Sequence, residues 1–511
     1  MATKGYLGID AGTQGLSAIF VDEDLNVIAA GEGAYDMIAG LEDGCYEQDP
    51  ADWESALRVA MDQLRGNLPD ERRDIEVLCV GISGQMHGEV LADESGIALA
   101  PVRLWCDARN EEEGDELTRR FSVKMPKRIT SARWLWTTRN REDSARRTAH
   151  ITTPAGWLAY RLTGEWTLGI GDAAGMFPID QSTLDYDQKL LDSFDELATG
   201  VKPLRELLPA ARKAGEDGGR LNASGADILG IPEGVPVAPA EGDQPASLAG
   251  SLIGAAGMVS VSFGTSVCAN SVGDRPFDGV NAAVDHFCAP DGKPINMVWL
   301  RNGTTFMNSV VEMFGGVIDG DSGASFDAVM PHAVEADPEC GGLIALPFMD
   351  DEPGLGVGRG GTAMLVGLNS TNSTPGNAVK AALLSTMFNL KLGSEVLDEQ
   401  GYPRSELVLS GGLTKTPQLA QVLADVFRTP VTLLESAEEG TAWGAAVMAR
   451  YRHEALQGSE QGWAEYLNGL AVSQNMRFEP DAGAAARYAG VYQKYRSLMA
   501  VQGRLDEALA D

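Results

Sequence analysis

Apolar residues along the first thirty-five positions fall into short runs cut by turn residues. Tyr6, Leu7 and Ile9 are followed by Gly12-Thr13-Gln14-Gly15, then by the run Leu16–Val21, then by Asp22-Glu23-Asp24-Leu25-Asn26 and a third short run. Runs of that length separated by Gly, Asp and Asn predict three antiparallel strands over residues 5–35. Asp49-Pro50 then reads as a helix start, with Asp49 as the N-cap and Pro50 at the first helical position. Ile75–Ile82 is an unbroken apolar run ending in Ser83-Gly84-Gln85-Met86-His87-Gly88. Strands, helix and further buried strand in that order predict an α/β layer with its loops gathered at strand ends.

The pattern returns in the second half. Val235–Ala240 reads as a buried strand that delivers Glu241-Gly242-Asp243-Gln244 to its tip. The small-residue stretch Ser247–Gly257 reads as a hinge, which divides the chain into domains at 1–247 and 256–511. Met258–Cys268 is again strand, Gly-Thr turn, strand. Leu407–Leu409 leads into Ser410-Gly411-Gly412, followed by a helix capped by Thr416 with Pro417 in its first position. Leu419, Val422, Leu423, Val426 and Phe427 form its apolar stripe. Further helices are expected from about Gly440 to Arg450 and over 481–511.

At 511 residues with 44% hydrophobic content, the chain is globular and too long for one core. Its formal net charge of −33 argues against a nucleic-acid or anionic-membrane partner, either of which wants a basic face. A phosphorylated small molecule needs only local donors and stays open. The six cysteines are scattered without a CxxC pair, and none of the five histidines forms an HExxH. A reduced, cytoplasmic protein without a zinc site is expected, with no signal segment and no membrane span.

Chemistry enters through the two Gly-Thr hairpins. Glycine lets backbone N–H groups approach anionic oxygens closely, and threonine adds a hydroxyl donor. Gly12, Thr13 and Gln14 in one hairpin and Gly264 and Thr265 in the other could grip one nucleotide from two sides. Asp10, at the end of the first strand, is a hard oxygen ligand suited to a nucleotide-borne Mg²⁺. A hairpin turn without any ligand explains each motif singly. Their recurrence is what singles them out.

In order along the chain, GIDAGTQG (8–15), ISGQMHG (82–88), LWCDAR (104–109), EGDQ (241–244), SFGTS (262–266) and SGGLTKTP (410–417) together resemble the FGGY carbohydrate kinases. The resemblance covers nearly the whole chain, and the sugar segment is most similar to that of the xylulokinases. It implies two duplicated actin-like, ribonuclease H-like ATPase domains with a cleft between them. It also implies ATP with Mg²⁺ at Asp10, and Asp243 as the base that takes the hydroxyl proton. Gln85, Met86, His87, Trp105, Asp107, Asp172 and Gln244 would then contact the sugar, with His87 donating to a hydroxyl. Gly411, Gly412 and Thr416 would border the adenosine. Departures from the family pattern are Arg133 where a lysine is usual, Leu384 where an acid or amide is usual, Gly169, and Gln244 where xylulokinases commonly carry Asn.

The expected activity is phosphorylation of a small sugar, D-xylulose first, with sedoheptulose, ribulose or glycerol as alternatives. A non-catalytic nucleotide-driven binding module on the same fold is the alternative from another class. The partner is a small-molecule sugar, and a homodimer is left open.

Overall fold

The computed structural model describes residues 2–315, 322–433, 440–470 and 476–509. Three strands open the chain as expected, at Thr3–Ala11, Gly15–Asp22 and Val27–Ala34. Thr3–Ala11 runs antiparallel to its hairpin partner and parallel to Ile75–Gly84 on its other side. Glu241–Gly242 completes this five-stranded sheet at the edge. Asp49 caps the helix Pro50–Asn67, its carboxylate accepting from the Ala51 N–H at 2.9 Å. The helix lays Trp53, Leu57, Met61 and Leu64 on the face that carries Leu7 and Ile9.

The C-terminal half repeats the device in a seven-stranded sheet. Met258–Phe263 is antiparallel to Val267–Val272 and parallel to Glu406–Gly411. The repeat holds at the residue level, since Asp10 stands opposite Ser83 in one sheet and Ser262 opposite Ser410 in the other. Between the sheets in sequence, helices and short strands from about residue 111 to 208 enclose a separate core around Trp134, Phe177 and Phe194.

Three expectations change. Val235–Ala240 is not a continuous strand: it meets its neighbours by isolated bridges at Pro236 and Val237 and by scattered backbone hydrogen bonds until Glu241 joins Ser83. Pro236 and Pro239 lack the N–H that a ladder requires. The stretch Ser247–Gly257 is not simply a flexible link, because a helix spans Asp243–Gly250. The helix expected from Pro417 begins at Gln418, and no Thr416 side chain caps it. The helices expected from about Gly440 and over 481–511 are Gly440–Leu456 and Ala482–Ala508, with a further helix Trp463–Leu470 between them and residues 510 and 511 outside the described residues.

The two halves exchange helices. Asp243–Gly250 ends the N-terminal half, yet Leu248 and the following Ile253 pack with Val272, Ile295, Met297 and Val408 of the C-terminal sheet. Gly440–Leu456 belongs to the C-terminal half, yet Ala442, Ala445 and Ala446 pack on Tyr6, Ile19, Val21 and Cys79 of the N-terminal sheet. Where these helices cross, backbone meets backbone: a Cβ on Gly444 would lie 2.0 Å from the Ala246 carbonyl oxygen. Likewise a Cβ on Gly81 would lie 1.9 Å from that of Ala445. Small residues here are the condition for close packing.

Gly444→Ala should therefore cost about 1–3 kcal/mol, the usual penalty for overpacking. Gly66→Ala, in a helix with nothing within 4 Å of the added methyl, should be neutral or stabilise by about 0.4–1 kcal/mol. Urea unfolding of both variants checks the contrast; equal effects would show that the crossing is loosely packed.

Candidate active site

The strand end at Asp10 is fixed from both halves. Ser83 Oγ donates to Asp10 Oδ1 at 2.6 Å, and Thr441 Oγ1, on the crossing helix Gly440–Leu456, donates to Oδ2. Burial raises the Asp10 carboxyl, and these two hydroxyls pull it back down. The adjoining turn is braced as a unit. Tyr35 donates to the carbonyls of Gly12 and Gly15, Gln48 Nε2 donates to Thr13 O at 2.7 Å, and Trp105 Nε1 donates to Thr13 Oγ1 at 3.1 Å.

The second turn is braced the same way, by the segment after Leu300. Gly303 N–H donates to Thr265 O and Thr304 N–H to Gly264 O. In both hairpins the glycine expected to offer its N–H outward spends it inside the turn, Gly12 on Gly15 O and Gly264 on Ser266 O, each at 2.9 Å. Gln14 and Thr265 are exposed. Gly411 closes the strand beside this turn, paired with Phe263, and Gly412 begins a short 3₁₀ turn that leads to Thr416.

Between the halves lies a cleft of about 520 Å³ lined by Met86, His87, Trp105, Asp243 and Gln244 from the first half and by Ser262, Ser266, Asn270 and Arg301 from the second. Asp243 is the first residue of the helix that follows the edge strand. Burial pushes its carboxyl up to about 7, the Asp10 charge adds to that, and the N–H groups of Gln244 and Asp243 itself oppose it. The carboxyl is therefore poised to exchange a proton at neutral pH. Gln244 Oε1 accepts from Asn270 Nδ2 at 3.1 Å, a polar tie across the cleft.

His87 holds a left-handed backbone, φ 68°, unusual for a non-glycine residue. Its Nδ1 lies 2.9 Å from the Gly175 carbonyl oxygen. A carbonyl only accepts, so Nδ1 carries the proton and Nε2 is an acceptor. Burial, helped by the Arg128 charge, pushes the imidazole down to about 3, so it stays neutral. The expectation that His87 donates to a hydroxyl is thus reversed.

Gln85, Asp107 and Asp172 do not line the cleft, contrary to expectation; each supports it from behind. Gln85 is buried, its Nε2 donating to Gln48 Oε1 at 2.8 Å and its Oε1 accepting from Thr13. Against its burial, Asp107 is held below the usual carboxylate range by Arg109 and the Tyr46 N–H, and so organises the loop carrying Trp105. Asp172 is fully buried under Gly242, with Oδ2 accepting from Thr153 Oγ1 at 2.5 Å. Burial pushes it up to about 8, Thr153 opposes, and Asp243 adds to the rise.

Two sequence departures have structural reasons. Gly169 is small because a Cβ there would lie 2.2 Å from Glu241 Cδ, whose carboxylate accepts from the N–H groups of Gly171 and Asp172. Leu384 is buried in the C-terminal core, away from the cleft. Residues missed in the sequence include Lys127, Arg128, Ser260, Ser262, Asn270 and Arg301. The alternation Ser260-Val261-Ser262, which puts both hydroxyls on one face of a strand, was the available signal.

The two sheets, their helices and the cleft between them make a two-domain α/β fold. Residues 5–250 match the N-terminal domain of the FGGY family of carbohydrate kinases and residues 259–453 its C-terminal domain, so the chain belongs to that family. The chain is similar to the xylulose kinase of Haemophilus influenzae, 27% identical over 96% of this chain and 98% of that one. The xylulose kinase of Escherichia coli is 26% identical over the same shares. Among solved structures, a xylulose kinase from Rhodospirillum rubrum superposes with a TM-score of 0.83 over 98% of this chain and 99% of its own at 21% identity. A Plasmodium falciparum glycerol kinase with ADP gives 0.81 over 98% of each at 20% identity; both show the fold. The protein is an ATP:sugar phosphotransferase. Among the described residues, no helix is long and apolar enough to cross a membrane.

Asp172 offers a stability test. Its folded value of about 8 lies above the unfolded value, so the native state binds the extra proton between the two. The stability it confers is full below pH ~4 and is lost as pH rises toward 8. Asp172→Asn, uncharged throughout, should gain on wild type over that window in denaturant titrations. A pH-independent difference would mean that Asp172 is ionised throughout.

Proposed function

We propose that the cleft transfers the γ-phosphoryl group of ATP to a hydroxyl of a ketose, with D-xylulose the best substrate and D-xylulose 5-phosphate the product. Asp243 carries this reading: a carboxyl whose proton affinity is raised into the neutral range, at the start of a helix, facing a cleft built from both halves. Asp243 takes the proton from the attacking hydroxyl as the oxygen–phosphorus bond forms, and the ADP oxygen leaves in line. Thr13 and Gln14, with Thr265 opposite, border the phosphates. Asp10 fits an ion carried on the nucleotide, since each of its oxygens accepts one hydroxyl and keeps a lone pair for metal-bound water. Mg²⁺ so held would neutralise charge developing on the phosphate oxygens. Gly411, Gly412 and Thr416 border the adenosine in this reading.

On the sugar side, a ketose hydroxyl donates to His87 Nε2, Met86 lies along the carbon chain, and Trp105 closes the edge. The near-full-length similarity to xylulose kinases supports D-xylulose. Gln244 beside the base favours a second reading, a kinase for sedoheptulose, ribulose or a polyol such as glycerol. A non-catalytic binding module has no use for a proton acceptor at Asp243.

Asp243→Asn should bind sugar and nucleotide but lose about 10²–10⁴-fold in kcat, the usual contribution of a positioned general base. In wild type, kcat/KM should fall as pH drops below about 7, where the free carboxyl becomes protonated. A variant within a few-fold of wild type removes Asp243 from the mechanism.

A coupled assay across ketoses and polyols tests the substrate. D-xylulose should lead, and His87→Ala should lower its kcat/KM by roughly five- to a hundredfold, the effect of leaving a buried hydroxyl unpaired. Sedoheptulose, ribulose or glycerol ahead of D-xylulose by tenfold would reassign the sugar and leave the phosphotransferase standing.

A further inference from the structure

Arg128 on the sugar side of the cleft reaches into the other half. Its guanidinium donates to Asp285 Oδ2, on the strand Val284–Cys288 of the C-terminal sheet. Lys124 meets the other oxygen at 2.8 Å and also donates to the Ala282 carbonyl. Asp285 is 7% exposed. Against that burial, the two cations hold its carboxyl well below the usual range, so the group is ionised and paired.

From Arg128 the connection continues to the sugar contact. Arg133, fully buried, donates through Nη1 to the carbonyls of both Arg128 and His87. Thr130 Oγ1 donates to the same His87 carbonyl at 3.1 Å. These bonds hold His87 in its left-handed backbone, while Gly175 fixes the ring from the other side. The carboxyl in one half is thus joined by ion pair and hydrogen bonds to the imidazole that faces substrate in the other.

We propose that Asp285 is a positioning residue of the sugar subsite: through Arg128 and Arg133 it makes the placement of His87 depend on where the C-terminal half stands. The inference rests on reading the cleft as a sugar kinase site. A buried ion pair has two states, made or broken, because a half-separated pair leaves charges without water or partner. Nucleotide contacts the turn at Thr265 in the C-terminal half and sugar contacts His87 in the N-terminal half. A ligand that favours the made state on either side therefore favours the other, and the effect is reciprocal. An ion pair that only stabilises the fold would leave the two ligands independent.

The test measures the affinity of the full-length protein for the panel sugar with the highest kcat/KM, with and without the β,γ-imido analogue of ATP. In wild type, the analogue should tighten sugar binding by about 5–150-fold, the usual range of coupling between sites. In Asp285→Asn that factor should fall toward one, with the affinity for the analogue alone unchanged. A coupling factor retained in Asp285→Asn, or absent from wild type, overturns the proposal, whatever happens to the melting temperature. Should Asp285→Asn fail to fold, Lys124→Met decides: it weakens the clasp without touching the cleft, and a wild-type coupling factor there also overturns the proposal. The kinase reading fails separately, on wild-type protein that phosphorylates no sugar in the panel.

Discussion

The cleft depends on one contact, the crossing of two helices at Gly444 and Ala246. Asp243 is the first residue of one of them, and Thr441, near the start of the other, holds Asp10. Both carboxylates hang from the N-terminal sheet, where Asp10 and Glu241 each stand opposite Ser83, and a backbone-on-backbone packing that admits no side chain holds together the two helices behind them. Such a contact is stiff because the interior is close-packed and each partner is already a rigid element. The sheet places two like charges near one another, and burial, more than any third residue, raises the proton affinity of Asp243.

Polar residues around the cleft form two tiers. Met86, His87, Trp105 and Gln244 meet the open space, whereas Gln85, Asp107 and Asp172 hold the first group in place. A substrate group is read by what remains after the second tier has been satisfied, and His87 shows this most clearly. Its donor is consumed by Gly175, so only an acceptor is left to face the cleft. The chain as a whole carries −33 charges, and the three cations that line the cleft are each paired with a carboxylate outside its lining: Lys127 with Glu111, Arg128 with Asp285 and Arg301 with Asp351.

Much of the frame was legible beforehand. Turn chemistry alone marked the first three strands, and Asp49-Pro50 marked the first long helix, because glycine, proline and N-cap rules act locally. The seam between halves was not. A run of small residues such as Ser247–Gly257 reads identically as a flexible link and as a surface for close packing, and only the partner helix decides. Val235–Ala240 looked like a strand because its apolar content outweighed two prolines whose missing N–H groups break the ladder. Motif resemblance brought Gln85, Asp107 and Asp172 to the right neighbourhood but carried no information on which face each would take. Ser260 and Asn270 were hidden for the opposite reason: their place along strands was visible, but no known motif drew attention to them.

The exchange of helices has a further consequence for how the chain can be divided. The N-terminal sheet has one face covered by Gly440–Leu456, a helix that belongs, in sequence, to the other half, and the C-terminal sheet takes Leu248 and Ile253 from the N-terminal side. A chain cut between residues 250 and 258 leaves the N-terminal piece with a bare apolar sheet face and the C-terminal piece with the stranded helix that covered it. The N-terminal piece is then not a complete layered unit, and the boundary in sequence is not the boundary of its core. A gene for this fold could be split only if both fragments were made together.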